Sequence, residues 1–171
     1  AEIVFDMLHA AGARRFSVLR PKDRTFTVIG RVNSFCELVH ARGMPCQVMP
    51  CDGQSFEAGR DAMRRHEAIL RSCDGLFAAN DLLACGALDG LRGDLGLRVP
   101  QDIAVVGFDD IEQASWASYD LSTVRQDAGT QAAMAVEAMS YRLQTPDAPT
   151  LVTHLPLHPV ARGTTGKIEQ P

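Results

Sequence analysis

Lysine is nearly missing from these 171 residues: Lys22 and Lys167 are the only two, and no basic run occurs anywhere in the chain. The formal net charge is −4. Non-specific grip on a phosphate backbone comes from clustered Lys and Arg, so this segment is not expected to hold nucleic acid by itself. No apolar run approaches the roughly 20 residues of a membrane span, and no signal peptide opens the chain. The five cysteines, Cys36, Cys46, Cys51, Cys73 and Cys85, are odd in number and irregularly spaced, without a C-x-x-C pair. A disulfide framework or a zinc ribbon shows regular spacing, so this pattern predicts a reducing cytoplasm.

Catalytic signatures are equally scarce. No G-x-S-x-G occurs, and Gly163-Thr-Thr-Gly-Lys167 lacks the spacing of a phosphate-binding loop. Adjacent Asp109 and Asp110 would suit a phosphoacceptor only beside a strand-end lysine, and neither lysine stands in that context. His154 and His158 are four apart, which suits a metal on a helix, but their segment reads as a strand. We therefore expect no catalytic residue, no metal ion and no cofactor, and a chain that is not an enzyme.

What the chain does have is alternation. Apolar residues make up 46% of it. Ile3, Phe5 and Leu8 predict a helix stopped by Gly12, followed by a strand over 16–19 that Pro21 ends. Val28, Val32, Phe35 and Val39 recur at helical spacing over 27–42, with Gly43 to terminate. A strand over 47–49, a helix from the 51–55 turn to about Arg71, and a continuously apolar strand over 75–79 come next. Asn80 is placed to cap a helix over 81–91. A strand over 103–107, an extended piece over 121–126, and a helix striped by Ala132, Val136, Met139 and Leu143 follow, with a last strand over 151–157. Such alternation predicts an α/β fold, a doubly wound and mostly parallel sheet with helices on both faces. Ligands of such sheets gather at the carboxyl ends of the strands, which points to residues 21–27, 51–56, 80–81 and 108–110.

Two stretches carry a resemblance. Ala78-Ala-Asn-Asp-Leu-Leu-Ala-Cys-Gly-Ala-Leu88 precedes Gly96-Leu-Arg-Val-Pro-Gln-Asp-Ile-Ala-Val-Val-Gly-Phe-Asp-Asp-Ile111, and both closely resemble the lac-repressor (LacI/GalR) family. Leu121-Ser-Thr-Val-Arg-Gln126 and Val160-Ala-Arg-Gly-Thr-Thr165 extend the match in the family's order. The resemblance implies a periplasmic-binding-protein-like sensing domain of two subdomains hinged around a small molecule. Residues 1–121 would be the C-terminal effector-binding subdomain, and 122–149 a return segment that completes the N-terminal subdomain. Residues 150–165 would supply the closing strand, and 166–171 a tail.

The resemblance also assigns roles. Arg31 falls where the family's arginine reaches adjacent sugar hydroxyls or a base edge, a task suited to a planar donor fork. Asp109 matches an acceptor for ligand hydroxyls or N–H groups, and Asn80 a polar contact that doubles as a helix cap. Where many members stack an aromatic ring on the ligand, this chain has Gln54, with Phe56 two residues later. Gln126 matches a coupling position at the crossover between subdomains. The family's dimer face maps to 81–91 and 111–119, with Leu82, Cys85, Leu88, Trp116 and Tyr119 as expected contacts. The implied partners are a hydroxylated small-molecule effector, a second copy of the chain, and operator DNA reached only through a helix-turn-helix upstream of Ala1. A periplasmic sugar-binding protein of a transporter shares the fold and is the rival reading; the cysteines and the two regulatory-looking stretches, 96–102 and 122–126, speak against it.

Overall fold

The computed structural model describes residues 1–22, 26–150 and 152–166. Its heart is a four-stranded parallel sheet in the order β2-β1-β3-β4, built from β1 (Phe16–Pro21), β2 (Cys46–Cys51), β3 (Gly75–Ala78) and β4 (Ala104–Val106). Every residue of β3 and β4 is buried, which explains why these strands read as unbroken apolar runs. The edge strand β2 continues across Pro50, a residue expected to bound it. An edge strand leaves one row of its backbone groups unpaired, so a residue without an N–H is tolerated there.

Helices cover both faces. The first, α1 (Glu2–Ala11), ends at Gly12, whose φ of 110° is readily adopted only by a residue without a Cβ. It packs on α2 (Phe26–Ala41), and the rings of Phe5, Phe16, Phe35 and Phe77 form a continuous aromatic line between this layer and the sheet. On the other side α3 (Phe56–Arg65) packs on α5 (Asp81–Asp89). The expected single helix to Arg71 is instead broken at His66, after which α4 (Glu67–Leu70) adds one short turn. Past Asp89 the chain widens into a π-helical turn, Gly90–Asp94.

Two glycines set the separation of α3 and α5. A Cβ on Gly59 would stand 2.3 Å from the Leu83 carbonyl oxygen, and one on Gly86 would stand 1.9 Å from that of Phe56. Backbone therefore meets backbone at this crossing, and neither oxygen can move without displacing its helix.

The last part of the chain leaves the parallel sheet. β5 (Thr123–Gln126) pairs antiparallel with β6 (Leu157–Val160), Thr123 opposite Val160 and Gln126 opposite Leu157. The closing strand thus lies at 157–160 and not over 151–157; residues 152–156 have no regular structure, and Leu151 lies outside the described residues, as do 167–171 of the expected tail. Between the two strands runs α6 (Ala128–Gln144), which buries none of its residues. Its stripe is present but faces outward, with Val136, Met139 and Leu143 at 67%, 62% and 75% exposure.

Replacing Gly86 by Ala tests the helix crossing. Alanine ordinarily stabilises a helix interior by about 1 kcal/mol over glycine. Here overpacking, at the upper end of about 1–3 kcal/mol because backbone cannot swing aside, outweighs that gain, and urea unfolding is expected to show a net loss of about 1–2 kcal/mol. Gly93→Ala, with nothing within 4 Å of its Cβ, is the control and should show no loss.

Candidate functional site

The carboxyl ends of β1, β3 and β4 are where the chain concentrates polar groups. Their arrangement depends on Asp81, the first residue of α5, which is fully buried. One of its carboxylate oxygens accepts from the Thr123 hydroxyl at 2.6 Å, and the other from the Ile111 N–H at 2.9 Å. The Asp81 N–H in turn donates to the Phe108 carbonyl at 2.9 Å. Gly107 is packed so closely on this carboxylate that a Cβ would come within 2.1 Å of it. Burial pushes the Asp81 carboxyl above its ordinary pKa, against the opposing hydrogen bonds from Thr123 and Ile111.

Held in this way, the chain beyond β4 turns sharply. Asp109 and Asp110 take positive φ values of 117° and 58°. Consecutive non-glycine residues in that region are uncommon, and such backbone strain concentrates at functional sites. Asp109 thereby comes beside Gln126, whose amide donates to Oδ1 at 2.6 Å, and its own N–H bonds the Val124 carbonyl at 2.9 Å. Burial raises the Asp109 pKa, with Arg31 and Gln126 opposing. Asp110 faces the other way, accepting from Arg125 at 2.6 Å and from Arg162 at 2.7 Å. Burial alone would raise its pKa too, but the two guanidinium groups hold it below the ordinary value.

Arg31 projects from α2 into this group. Its guanidinium carbon sits 3.5 Å from the centre of the Phe108 ring, and Nη1 donates to the Ala79 carbonyl at 2.5 Å. Burial lowers its pKa from an arginine's ordinary value, while Asp109 and Asp81 pull the other way. Stacking fixes the plane of the fork and leaves its in-plane donors to recognise a bidentate acceptor. Asn80 caps α5, accepting from the Leu83 N–H at 2.8 Å, while its amide stands 3.4 Å from both the backbone and side-chain oxygens of Gln54.

The structure therefore brings Arg31, Asp109 and Gln126 together, and joins Asn80 to Gln54. Phe56 opens α3 and lies half-buried against the core. Sequence reasoning missed Phe108 as the platform under Arg31 and Asp81 as the organiser of the loop. Both lie within the motifs quoted above, where burial could not be seen. The expected dimer contacts divide. Leu82 and Trp116 are exposed, at 45% and 48%, and Tyr119 is partly so, its ring stacked on Trp116. Cys85 and Leu88, by contrast, are buried within the subunit. Packed against the rest of their own chain at 2% and 0% exposure, they offer a partner almost no surface and are withdrawn as interface residues.

The periplasmic binding protein-like domain model matches residues 5–165. The chain belongs to that family. The lac-repressor resemblance is borne out as well. Over 91 residues, 53% of this chain and 27% of the relative, it is 36% identical to the ribose operon repressor of Escherichia coli K12. A LacI transcriptional regulator from a Rhodococcus species superposes with a TM-score of 0.85 at 28% identity, covering 98% of this chain and 62% of that one. A LacI family regulator from Arthrobacter sp. FB24, solved in complex with lactose, gives 0.81 at 26% identity, covering 96% and 62%. The chain thus spans about a quarter of the length of that curated relative. Among the described residues no helix is long and apolar enough to cross a membrane.

The raised pKa of Asp109 has a stability consequence. A carboxyl whose folded pKa exceeds its unfolded value stabilises the fold below the unfolded pKa and loses that contribution as pH rises through the folded one. At neutral pH the ionised Asp109 therefore costs stability, which Asp109→Asn removes while keeping an acceptor for Gln126 and tolerating positive φ. The variant is expected to have the higher urea midpoint at pH 7, with the gap closing as pH falls towards about 4, the ordinary Asp value. A variant less stable at pH 7, with a gap widening in acid, would contradict this.

Proposed function

We propose that the chain is the effector-sensing and dimerisation part of a LacI-family transcriptional regulator, with a sugar or related hydroxylated molecule as effector. The observation that carries this reading is the cluster at the carboxyl edge of the sheet. It holds a stacked guanidinium fork beside a carboxylate, both withdrawn from bulk water and both steadied by neighbours. A hydroxylated ligand must exchange its hydrogen bonds to water for bonds to protein, and a donor fork facing an acceptor gives orientation as well as energy. Arg31 and Asp109 are assigned the main polar contacts, Asn80, Gln54 and Phe56 flanking ones, and Gln126 the link between ligand and crossover.

The domain division follows from the same reading. Residues 1–121 form one jaw of a cleft, and 122–149 return to a second jaw, closed by the strand within 150–165. The outward stripe of α6 supports this, as does the groove of about 880 Å³ lined by Met134, Ala138 and Tyr141 of α6 and by Pro149, Thr153 and Leu155. Leu82, Trp116 and Tyr119 are the remaining candidates for contact with a second copy. Operator DNA would be read by a helix-turn-helix outside this chain, and the regulator would act in the cytoplasm without catalysis. Matched relatives are named as repressors or transcriptional regulators, which favours this over a transporter's sugar-binding protein.

Calorimetric titration of a sugar and nucleoside panel against the intact regulator tests the assignment. Charged hydrogen bonds contribute about 1.5–3 kcal/mol each, so Arg31→Ala and Asp109→Asn should each weaken the effector by about 10- to 100-fold. Unchanged affinity in both variants would refute the pocket.

A further inference from the structure

Among the five cysteines, Cys51, Cys73 and Cys85 are buried, whereas Cys36 and Cys46 are only partly covered. Cys36 lies in the middle of α2, and Cys46 is the first residue of the edge strand β2. Their sulfur atoms stand 3.4 Å apart, with the Cys46 thiol donating to Cys36 Sγ. The two sulfurs are thus already in contact, and a disulfide requires them to close to about 2.05 Å. We propose that Cys36 and Cys46 form an oxidisable dithiol, which a low-molecular-weight disulfide converts into a bridge between α2 and β2.

The chemistry divides between the two thiols. The hydrogen bond from Cys46 lowers the Cys36 pKa, with help from Arg20 and against burial, so Cys36 supplies the thiolate. Its sulfur attacks one sulfur of the oxidant, forming a mixed disulfide and expelling the other half as a thiolate that takes up a proton. Cys46 then gives its proton to solvent and attacks Cys36 Sγ, expelling the second thiol. Two protein thiols are oxidised to one disulfide, and one small disulfide is reduced to two thiols. Arg31 precedes Cys36 by five residues on α2, and β2 leads directly into the Gln54 turn. The bridge therefore fastens together the two elements that deliver those residues to the carboxyl edge.

The test is to treat the intact protein under native conditions with oxidised glutathione, block remaining thiols by alkylation, digest with trypsin and map disulfides by mass spectrometry. The expected result is a linked pair of the peptides 32–42 and 43–60, with Cys51 still alkylated. In Cys46→Ser the same treatment should leave Cys36 as a mixed disulfide with glutathione, because no resolving thiol is at hand. Full alkylation of Cys36 in the wild type would overturn the proposal. So would a glutathione adduct that persists on wild-type Cys36, or a bridge from Cys36 to any other cysteine.

Discussion

The carboxylate of Asp81 is the contact on which the carboxyl edge of this sheet depends. It sits out of water at the start of α5, where the helix N-terminus favours negative charge, and it gathers one donor from the loop after β4 and one from β5. Hydrogen bonds to a charged group contribute about 1.5–3 kcal/mol each, but an unpaired buried charge costs more than either. Asp81 is therefore tolerable only when Ile111 and Thr123 are both in place. That requirement fixes the path of residues 107–111 relative to the crossover, and Gly107 provides the necessary room.

From this constraint the rest of the edge follows. With the loop fastened, the chain reverses through the positive-φ pair Asp109–Asp110, sending one carboxylate towards Arg31 and Gln126 and the other towards Arg125 and Arg162. The closing segment is locked by the same neighbourhood: Ser122 bonds the Thr164 hydroxyl, the Arg162 backbone and the Thr165 hydroxyl, and Thr164 reaches the Val105 carbonyl. Asp109 and Asp110 thus do opposite work. The pKa of one is raised by burial and that of the other is lowered by two arginines, so Asp110 is committed to ion pairs while Asp109 keeps one side-chain amide, that of Gln126, as its donor.

Much of this was legible in the sequence, because the dominant signals were periodic. Apolar pattern located α1, α2 and α6 and the four parallel strands, the Asn80 cap located α5, and the strand-end rule placed the polar cluster before any family was considered. What periodicity could not tell was which side of a stripe meets protein. The stripe of α6 looks like any core-facing stripe, yet within this chain it faces outward. The family's dimer face, mapped onto 81–91, brought in Cys85 and Leu88 as contacts, although within this chain α5 is buried nearly all round and shows little amphipathic contrast. The shift of the last strand to Leu157–Val160 follows its pairing with β5, and His66, where the helix breaks, meets the Pro50 carbonyl of β2; local pattern contains neither contact.

If the carboxyl edge is the effector pocket, a bound ligand must meet the residues that Asp81 positions. The most direct measurement is a crystal structure of the intact protein with a sugar bound. The account predicts ligand hydroxyls within hydrogen-bond distance of both the Arg31 guanidinium and the Asp109 carboxylate, with the guanidinium still stacked on Phe108. A ligand ordered elsewhere in the molecule, with Arg31 and Asp109 bonded only to protein and water, would contradict it.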